Sequence, residues 1–316
     1  MKIVLLDTVT VSDGDVSFAP ITKLGDVTAH QYVPPAQVAA AIGDADAVVC
    51  NKTVITADIM DACPNLKFIG LFATGYNTID VAAAKQRGIV VCNAPNYSTD
   101  AVAQHAFTLM LALVGNLVAY DASVRRGDWT KCPQFTYFPF PVMELAGKTL
   151  GIFGFGAIGQ KVADIARAFG MRVIVCTRSP QKCPDEIHVP FETLLRESDI
   201  VSLHCPLTEE TAHLINRNTL QLMKSTAILI NTARGGVMDS AAVAAALRNG
   251  TIAACGTDVL EVEPMRADDP LRDIPNCLIT PHIAWAPQQT RERLVDMVAE
   301  NITAFQNGVP IHVVNP

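Results

Sequence analysis

In the second half of this 316-residue chain an arginine, a glutamate and a histidine each follow a short apolar run: Arg234 in NTARGG, Glu263 in DVLEVEP and His282 in TPHIAW. A planar guanidinium in such a place can grip a carboxylate through two parallel hydrogen bonds and polarise an adjacent carbonyl. A carboxylate bonded to an imidazole favours the charged imidazolium, so Glu263 with His282 could form a proton donor near neutral pH. A fourth feature is the run GIFGFGAIG at 151–159, where Gly154, Gly156 and Gly159 have G-x-G-x-x-G spacing. Such glycines let the backbone turn sharply, approach a pyrophosphate with no Cβ in the way, and seat the following helix on its strand. Each feature also has an ordinary alternative: a solvated loop arginine, a satisfied turn histidine, a plain glycine turn.

The surrounding pattern supplies elements that would position them. The apolar run 149–153 suits a buried strand, 160–169 repeats at helical spacing, Gly170 closes that helix, and 171–176 is a second strand, giving βαβ with the helix N-terminus facing the phosphates. Strand-like runs follow at 200–204, 227–231, 253–257 and 277–280, and this alternation predicts a doubly wound parallel sheet. In such sheets ligands bind beyond the carboxyl ends of the strands, where Arg234, Glu263 and His282 fall. The first hundred residues repeat the pattern on a smaller scale, with strands expected at 2–6, 47–49, 67–71 and 88–91. From the N-cap candidates Ser98, Thr99 and Asp100 an apolar helix should run through Leu117 and needs cover on nearly all sides. A Pro-broken aromatic loop at 129–141 would suit dimer contacts, and a last helix at 290–306 would return the chain to the first domain. The expectation is an α/β protein of two Rossmann-like domains with doubly wound parallel sheets: a dinucleotide-binding domain, 100–285, inserted into a substrate or lid domain made of 1–99 and 286–316.

Composition narrows the function classes. Half the residues are hydrophobic, 17% are charged and the net charge is −7, with no basic run that would call for nucleic acid or an anionic membrane. The opening MKIVLLDTV is too short an apolar run for a signal peptide. The apolar stretch 101–120 is interrupted by Gln104, His105, Gly115 and Asn116, which fits a buried helix better than a membrane span. Nine cysteines, without C-x-x-C pairs and mostly in apolar strand contexts, point to reduced core residues in a cytoplasm. His204, Cys205 and His213 lack a fourth partner at metal-site spacing, so no metal is expected.

Seven ordered motifs together resemble the D-isomer-specific 2-hydroxyacid dehydrogenase family: ATGYNTID at 73–80, VAQHAFTLMLAL at 102–113, GFGAIG at 154–159, HCPLTEET at 204–211, NTARGG at 231–236, GTDVLEVEP at 256–264 and TPHIAW at 280–285. They span nearly the whole chain. The resemblance implies that Arg234 binds the substrate carboxylate and keto oxygen, that His282 is the general acid/base, and that Glu263 orients and charges it. It implies that backbone amides at Ala73, Thr74 and Gly75 hold the carboxylate from the smaller domain. On the cofactor side it implies Asp258 at the nicotinamide carboxamide and Pro206 and Thr211 along the adenine and ribose, with Val102, Phe155, Ala157, Ile158, His204, Cys205, Thr232, Ala233 and Ala284 lining the same site.

The closest branch in pattern is that of glycerate dehydrogenase (hydroxypyruvate reductase), for which Trp285 would either wall a pocket for a two- or three-carbon acid or pack at a hinge. No Lys or Arg lies in 71–80, which disfavours a phosphorylated substrate. At the end of the second strand, where an acid would hold a ribose 2′-OH, the chain has Thr177, Arg178 and Ser179. That favours NADP(H) over NAD(H), unless Arg178 stacks on adenine and leaves NAD usable. Phosphite oxidation on the same residues and a nucleotide-sensing corepressor role are the competing readings. A homodimer through the apolar helix and the aromatic loop is expected.

Overall fold

The computed structural model describes residues 1–182 and 187–316. Among the described residues eleven strands form: β1 Lys2–Leu5, β2 Asp26–Ala29, β3 Ala47–Cys50, β4 Phe68–Leu71, β5 Val90–Cys92, β6 Thr149–Phe153, β7 Arg172–Cys176, β8 Ile200–Leu203, β9 Ile228–Asn231, β10 Ala254–Thr257 and β11 Cys277–Ile279. The central ones, such as AVVC, FIGL, IVSL and ILIN, are buried along their whole length. This is the continuous apolar signature of parallel strands covered on both faces.

The chain divides into two compact units, Met1–Ser98 with Trp285–Pro316, and Thr99–Ala284. In the first, the parallel order is β2-β1-β3-β4-β5. Strand β2, DVTA, has no sequence counterpart among the expected strands; it is an edge strand, mostly exposed, so burial imposes no hydrophobic pattern on it. The final helix, Gln288–Gln306, buries Leu294, Val298 and Ile302 in the same cluster as Ile3, Leu5 and Phe68, so the end of the chain completes the first unit's core.

In the second unit the parallel order is β11-β10-β9-β8-β6-β7. Both sheets therefore place the second-formed strand outside the first and the third on the other side. This creates a topological switch point between β1 and β3 in one unit and between β6 and β8 in the other, the place where open α/β sheets bind ligands. The helix Ala157–Ala168 follows β6 and buries Gly159, Val162, Ala163 and Ala166 against Leu150, Ile152, Val173 and Val175. The helix expected to run through Leu117 instead ends at Val114, and a second helix, Leu117–Arg125, leaves at 55°. Asn116 takes φ 45° at the break, a left-handed conformation open to asparagine, and its Nδ2 donates to Pro141 O. No single helix among the described residues is long and apolar enough to cross a membrane.

Candidate active site

The three glycines of the 154–159 turn do three different jobs. Gly154 has φ +90°, and a Cβ on it would stand 2.7 Å from the carbonyl of His204, the residue after β8. Gly159 would place a Cβ 2.4 Å from Gly154 O, so its absence lets the helix fold back on the turn. A Cβ on Gly156 would meet nothing within 4 Å. Gly156 is also the N-cap of Ala157–Ala168, which has no side-chain cap and no acid in its first turn. Open space in front of an uncapped helix N-terminus is what a pyrophosphate requires, so these residues fit a dinucleotide. Phe155 is buried beside the turn, while Ala157 is exposed and Ile158 half-buried at its mouth.

His204 bonds to Ser202 Oγ at 2.8 Å, and burial pushes its pKa down to about 4, which keeps its ring neutral at physiological pH. Burial likewise pushes the Cys205 thiol up to about 11, so it is an inert lining group. Thr211 Oγ1 donates to Pro206 O at 2.7 Å and accepts from Thr208 N at 2.8 Å, tying the 206–211 loop to itself. After β7, Ser179 N donates to Thr177 Oγ1 at 3.3 Å, and Arg178 Nη1 lies 3.7 Å from Glu210 Oε2. Arg178 and Glu210 are both largely exposed, so an anion arriving at Arg178 would displace a solvated carboxylate.

The arginine loop is built on a buried amide. Asn231, at the end of β9 and fully buried, accepts from Ala233 N at 3.0 Å and donates from Nδ2 to Arg234 O at 3.0 Å. The backbone is thereby fixed while the Arg234 side chain stays exposed, with Nη1 donating to Ala233 O at 2.7 Å. Thr232 is buried, and its Oγ1 has no hydrogen-bond partner among the described residues. The next residue, Gly235, lies so close to the following loop that a Cβ would stand 1.9 Å from the Leu260 carbonyl.

That following loop carries the acid. Glu263 Oε1 accepts from Leu260 N at 2.9 Å, which fixes the carboxylate, and Oε2 meets His282 Nδ1 at 2.6 Å. Nearby, Glu261 bonds to His213 Nε2 at 2.6 Å and accepts from Ser240 N. Burial works to raise the Glu261 pKa, but the bonds from Ser240 and His213 outweigh it and the net shift is down. His282 holds φ +56°, which costs energy in any residue with a side chain.

The turn around His282 is held by Asp258, 1% exposed at the end of β10. Asp258 O accepts from His282 N at 2.8 Å. Its Oδ1 accepts from Thr280 Oγ1 at 2.6 Å and Ile283 N at 2.8 Å, and its Oδ2 from Ala284 N at 2.8 Å. The structure thus gives Asp258 and Ala284 a task in shaping the turn that carries His282. His105, in the sequence no more than an interruption of an apolar run, reaches Thr280 Oγ1 from the helix Thr99–Val114 at 2.8 Å. The signal for it is a lone imidazole on a helix that buries Ala101, Val102, Ala106 and Leu109.

In the first unit, the loop after β4 is pinned by Thr74 Oγ1 donating to Ala94 O at 2.7 Å, Ala94 N to Ala73 O at 2.9 Å and Asn93 Nδ2 to Thr74 O at 2.7 Å. Gly75 follows, half-buried. Trp285 packs on this unit's core, its ring edge-on to Tyr97 at 6.5 Å. A second buried acid, Asp7 after β1, accepts from the backbone N of Asn51, Lys52 and Thr53 at 2.7 to 2.9 Å and from Thr53 Oγ1 at 2.9 Å. No group of three His, Cys, Asp or Glu among the described residues is placed to hold a metal.

An open glycine turn at the switch point, with an arginine and a carboxylate-bound histidine at the same carboxyl edge, defines a nicotinamide-dependent oxidoreductase. Residues 107–284 match the model of the D-isomer specific 2-hydroxyacid dehydrogenase NAD binding domain, and the chain belongs to that family as an NAD(P)-dependent enzyme. Among its relatives, a hydroxypyruvate reductase of Blautia hydrogenotrophica is 38% identical over 100% of both chains. A glycerate dehydrogenase of Methylorubrum extorquens is 43% identical, covering 89% of this chain and 88% of that one. The structure of an NADPH-dependent glyoxylate/hydroxypyruvate reductase from Sinorhizobium meliloti, solved with NADP and malonate, superimposes with a TM-score of 0.85 at 30% identity, covering 99% of this chain and 96% of the other. Within the family the chain falls in the glycerate dehydrogenase and hydroxypyruvate reductase branch.

Proposed function

We propose that this enzyme reduces a small 2-keto acid, hydroxypyruvate or glyoxylate, to D-glycerate or glycolate, with NADPH preferred to NADH. The observation that carries this is the 2.6 Å Glu263–His282 pair on loops that follow β10 and β11, beside the Arg234 loop after β9. The bound nicotinamide supplies the hydride. Arg234 grips the substrate carboxylate, and its charge stabilises the negative charge developing on the keto oxygen. With Nδ1 held by Glu263, His282 delivers the proton to that oxygen from Nε2, and the carboxylate keeps the ring oriented before and after transfer. In hydroxy-acid oxidation the same nitrogen takes the proton back.

The names of the Blautia and Methylorubrum relatives support an acid of two or three carbons, and the lack of Lys or Arg in 71–80 argues against a phosphorylated one. Thr177, Arg178 and Ser179 support a 2′-phosphate, as does the NADPH dependence of the Sinorhizobium relative. The testing experiment is the initial rate with hydroxypyruvate and with glyoxylate, each with NADPH and NADH, for the native enzyme and Arg178→Ala. Turnover that favours NADPH and loses that preference in the variant is expected. Native turnover favouring NADH would overturn the cofactor assignment, and no turnover with either acid would overturn the substrate assignment.

The second unit exposes Leu117, Val118, Trp129, Phe135, Phe138 and Val142 within one stretch of chain, which supports a homodimer formed through this segment. Light scattering that gives a monomer mass would refute it. The eight described cysteines are free, five of them buried, which supports a reducing cytoplasmic setting that fractionation would test.

A further inference from the structure

The helix Thr99–Val114 is seated unusually close to β10. A Cβ on Gly256 would lie 3.1 Å from Leu109 Cβ and 3.2 Å from Leu113 Cδ1, so only glycine lets the helix rest at this depth without displacement. One helical turn before Leu109 is His105; two residues beyond Gly256 is Asp258. The close seat therefore brings His105 to the carboxyl edge of the sheet. Its Nε2 sits 2.8 Å from Thr280 Oγ1 and 3.5 Å from Asp258 Oδ1.

Proton counting fixes the direction of this chain. Thr280 has one hydroxyl proton, and the 2.6 Å bond to Asp258 Oδ1 uses it. Thr280 Oγ1 must then accept from His105, so His105 carries a proton on Nε2. The Asp258 carboxylate at the end of this relay also receives the backbone N–H of Ile283 and of Ala284, the two residues after His282. Asp258 O receives the N–H of His282 itself. His282 N–H is shared with Thr280 O at 3.0 Å, so the left-handed His282 sits in a turn closed on Thr280 and one buried acid, and that acid is oriented by a threonine and a histidine that lie outside the reacting groups.

We propose that His105 and Thr280 are positioning residues for the reaction: the donor chain from His105 through Thr280 to Asp258 fixes the turn that aims His282. This rests on the assignment of His282 as proton donor. Neither residue needs to touch substrate, and what each must supply is a hydrogen bond, not volume. Isosteric and hydrogen-bonding replacements should therefore part company.

The test uses the full chain with hydroxypyruvate and whichever reduced cofactor the native enzyme uses. Thr280→Val keeps the shape and loses the hydroxyl, and kcat is expected to fall about 10- to 100-fold with KM changed less than about threefold. His105→Leu should fall roughly 10-fold in the same pattern. Thr280→Ser and His105→Gln, which retain the donors, should stay within about threefold of native. The double variant His105→Leu/Thr280→Val should be no worse than Thr280→Val alone, because both cut one chain. Reduced-cofactor binding by fluorescence titration should be unchanged in all of them, a readout independent of turnover. If Thr280→Val does not fold, His105→Leu carries the test by itself, since it leaves the Thr280–Asp258 bond in place.

Full kcat in Thr280→Val or His105→Leu, or loss in Ser and Gln variants equal to that in Val and Leu, would overturn the proposal. A His282→Ala control separates the two levels. An inactive control beside fully active Thr280→Val and His105→Leu removes this inference alone, whereas an active control removes the proton-donor assignment and the inference with it.

Discussion

The two sheets have the same strand order around their switch points, yet the chain finishes those points in opposite ways. Between β1 and β3, three successive amides and a hydroxyl converge on the carboxylate of Asp7, a residue 2% exposed. Between β6 and β8, the helix N-terminus has no side-chain cap, Gly156 faces open space, and the neighbouring His204 is kept neutral by burial. The carboxyl edge of a parallel sheet gathers N–H donors in either case. In the first unit the chain supplies its own anion and gains a rigid platform. In the second the N–H donors are left without a protein anion, an arrangement that fits one from outside such as a pyrophosphate.

The contrast can be broken first at the chemistry. His282→Ala should lower kcat/KM about 10³-fold with cofactor binding retained, because general acid catalysis is worth about two to four orders of magnitude. Full activity would mean that the second edge is not where the proton moves. At the first edge, Asp7→Ala leaves three amides without their acceptor and should cost about 3 kcal/mol in chemical denaturation. Sulfate should restore part of that loss in the variant and add little to the native protein. A variant as stable as native, or one blind to sulfate, would show that the amides at 51–53 do not form an anion nest.

A smaller effect sits on His204. Its folded pKa of about 4 lies below the ordinary 6.5, so the unfolded chain binds more protons between these values. Its contribution to stability is complete above pH 6.5 and declines as pH falls toward 4, a loss on the order of 2 kcal/mol by pH 4.5. His204→Asn keeps a polar partner for Ser202 without titrating there, and its stability should fall less than native over that window; parallel curves would remove the neutral-histidine half of the comparison. The smallest change sharpens it. Gly156→Ala adds one carbon that meets no protein atom within 4 Å, so melting should be unaltered. Dinucleotide affinity should nevertheless drop about 10-fold, because the carbon stands in the phosphate approach. Unaltered affinity would place the pyrophosphate elsewhere.

What could be read from the sequence follows from which side chains are forced by local rules. The glycine turn, the buried strands and the polar residues after them were visible because backbone geometry and two-sided burial restrict residue type over a few adjacent positions. Strand β2 was not, since an exposed edge accepts DVTA as readily as a loop would. The break at Gly115 and Asn116 was hidden inside an apolar stretch whose composition stays uniform across it. Asp7 and His105 escaped for a different reason: their partners are Asn51 to Thr53 and Thr280, 44 to 46 and 175 positions away. No local pattern records a hydrogen bond that the fold alone creates.

Gly235 sets a gauge for the whole constellation. With less than the width of an atom to spare, the loop that carries Arg234 rests backbone to backbone on the loop that carries Glu263, so the spacing of the two loops is set by peptide planes and not by side chains. Side-chain changes on either loop should therefore leave that spacing as it is, whatever groups they present.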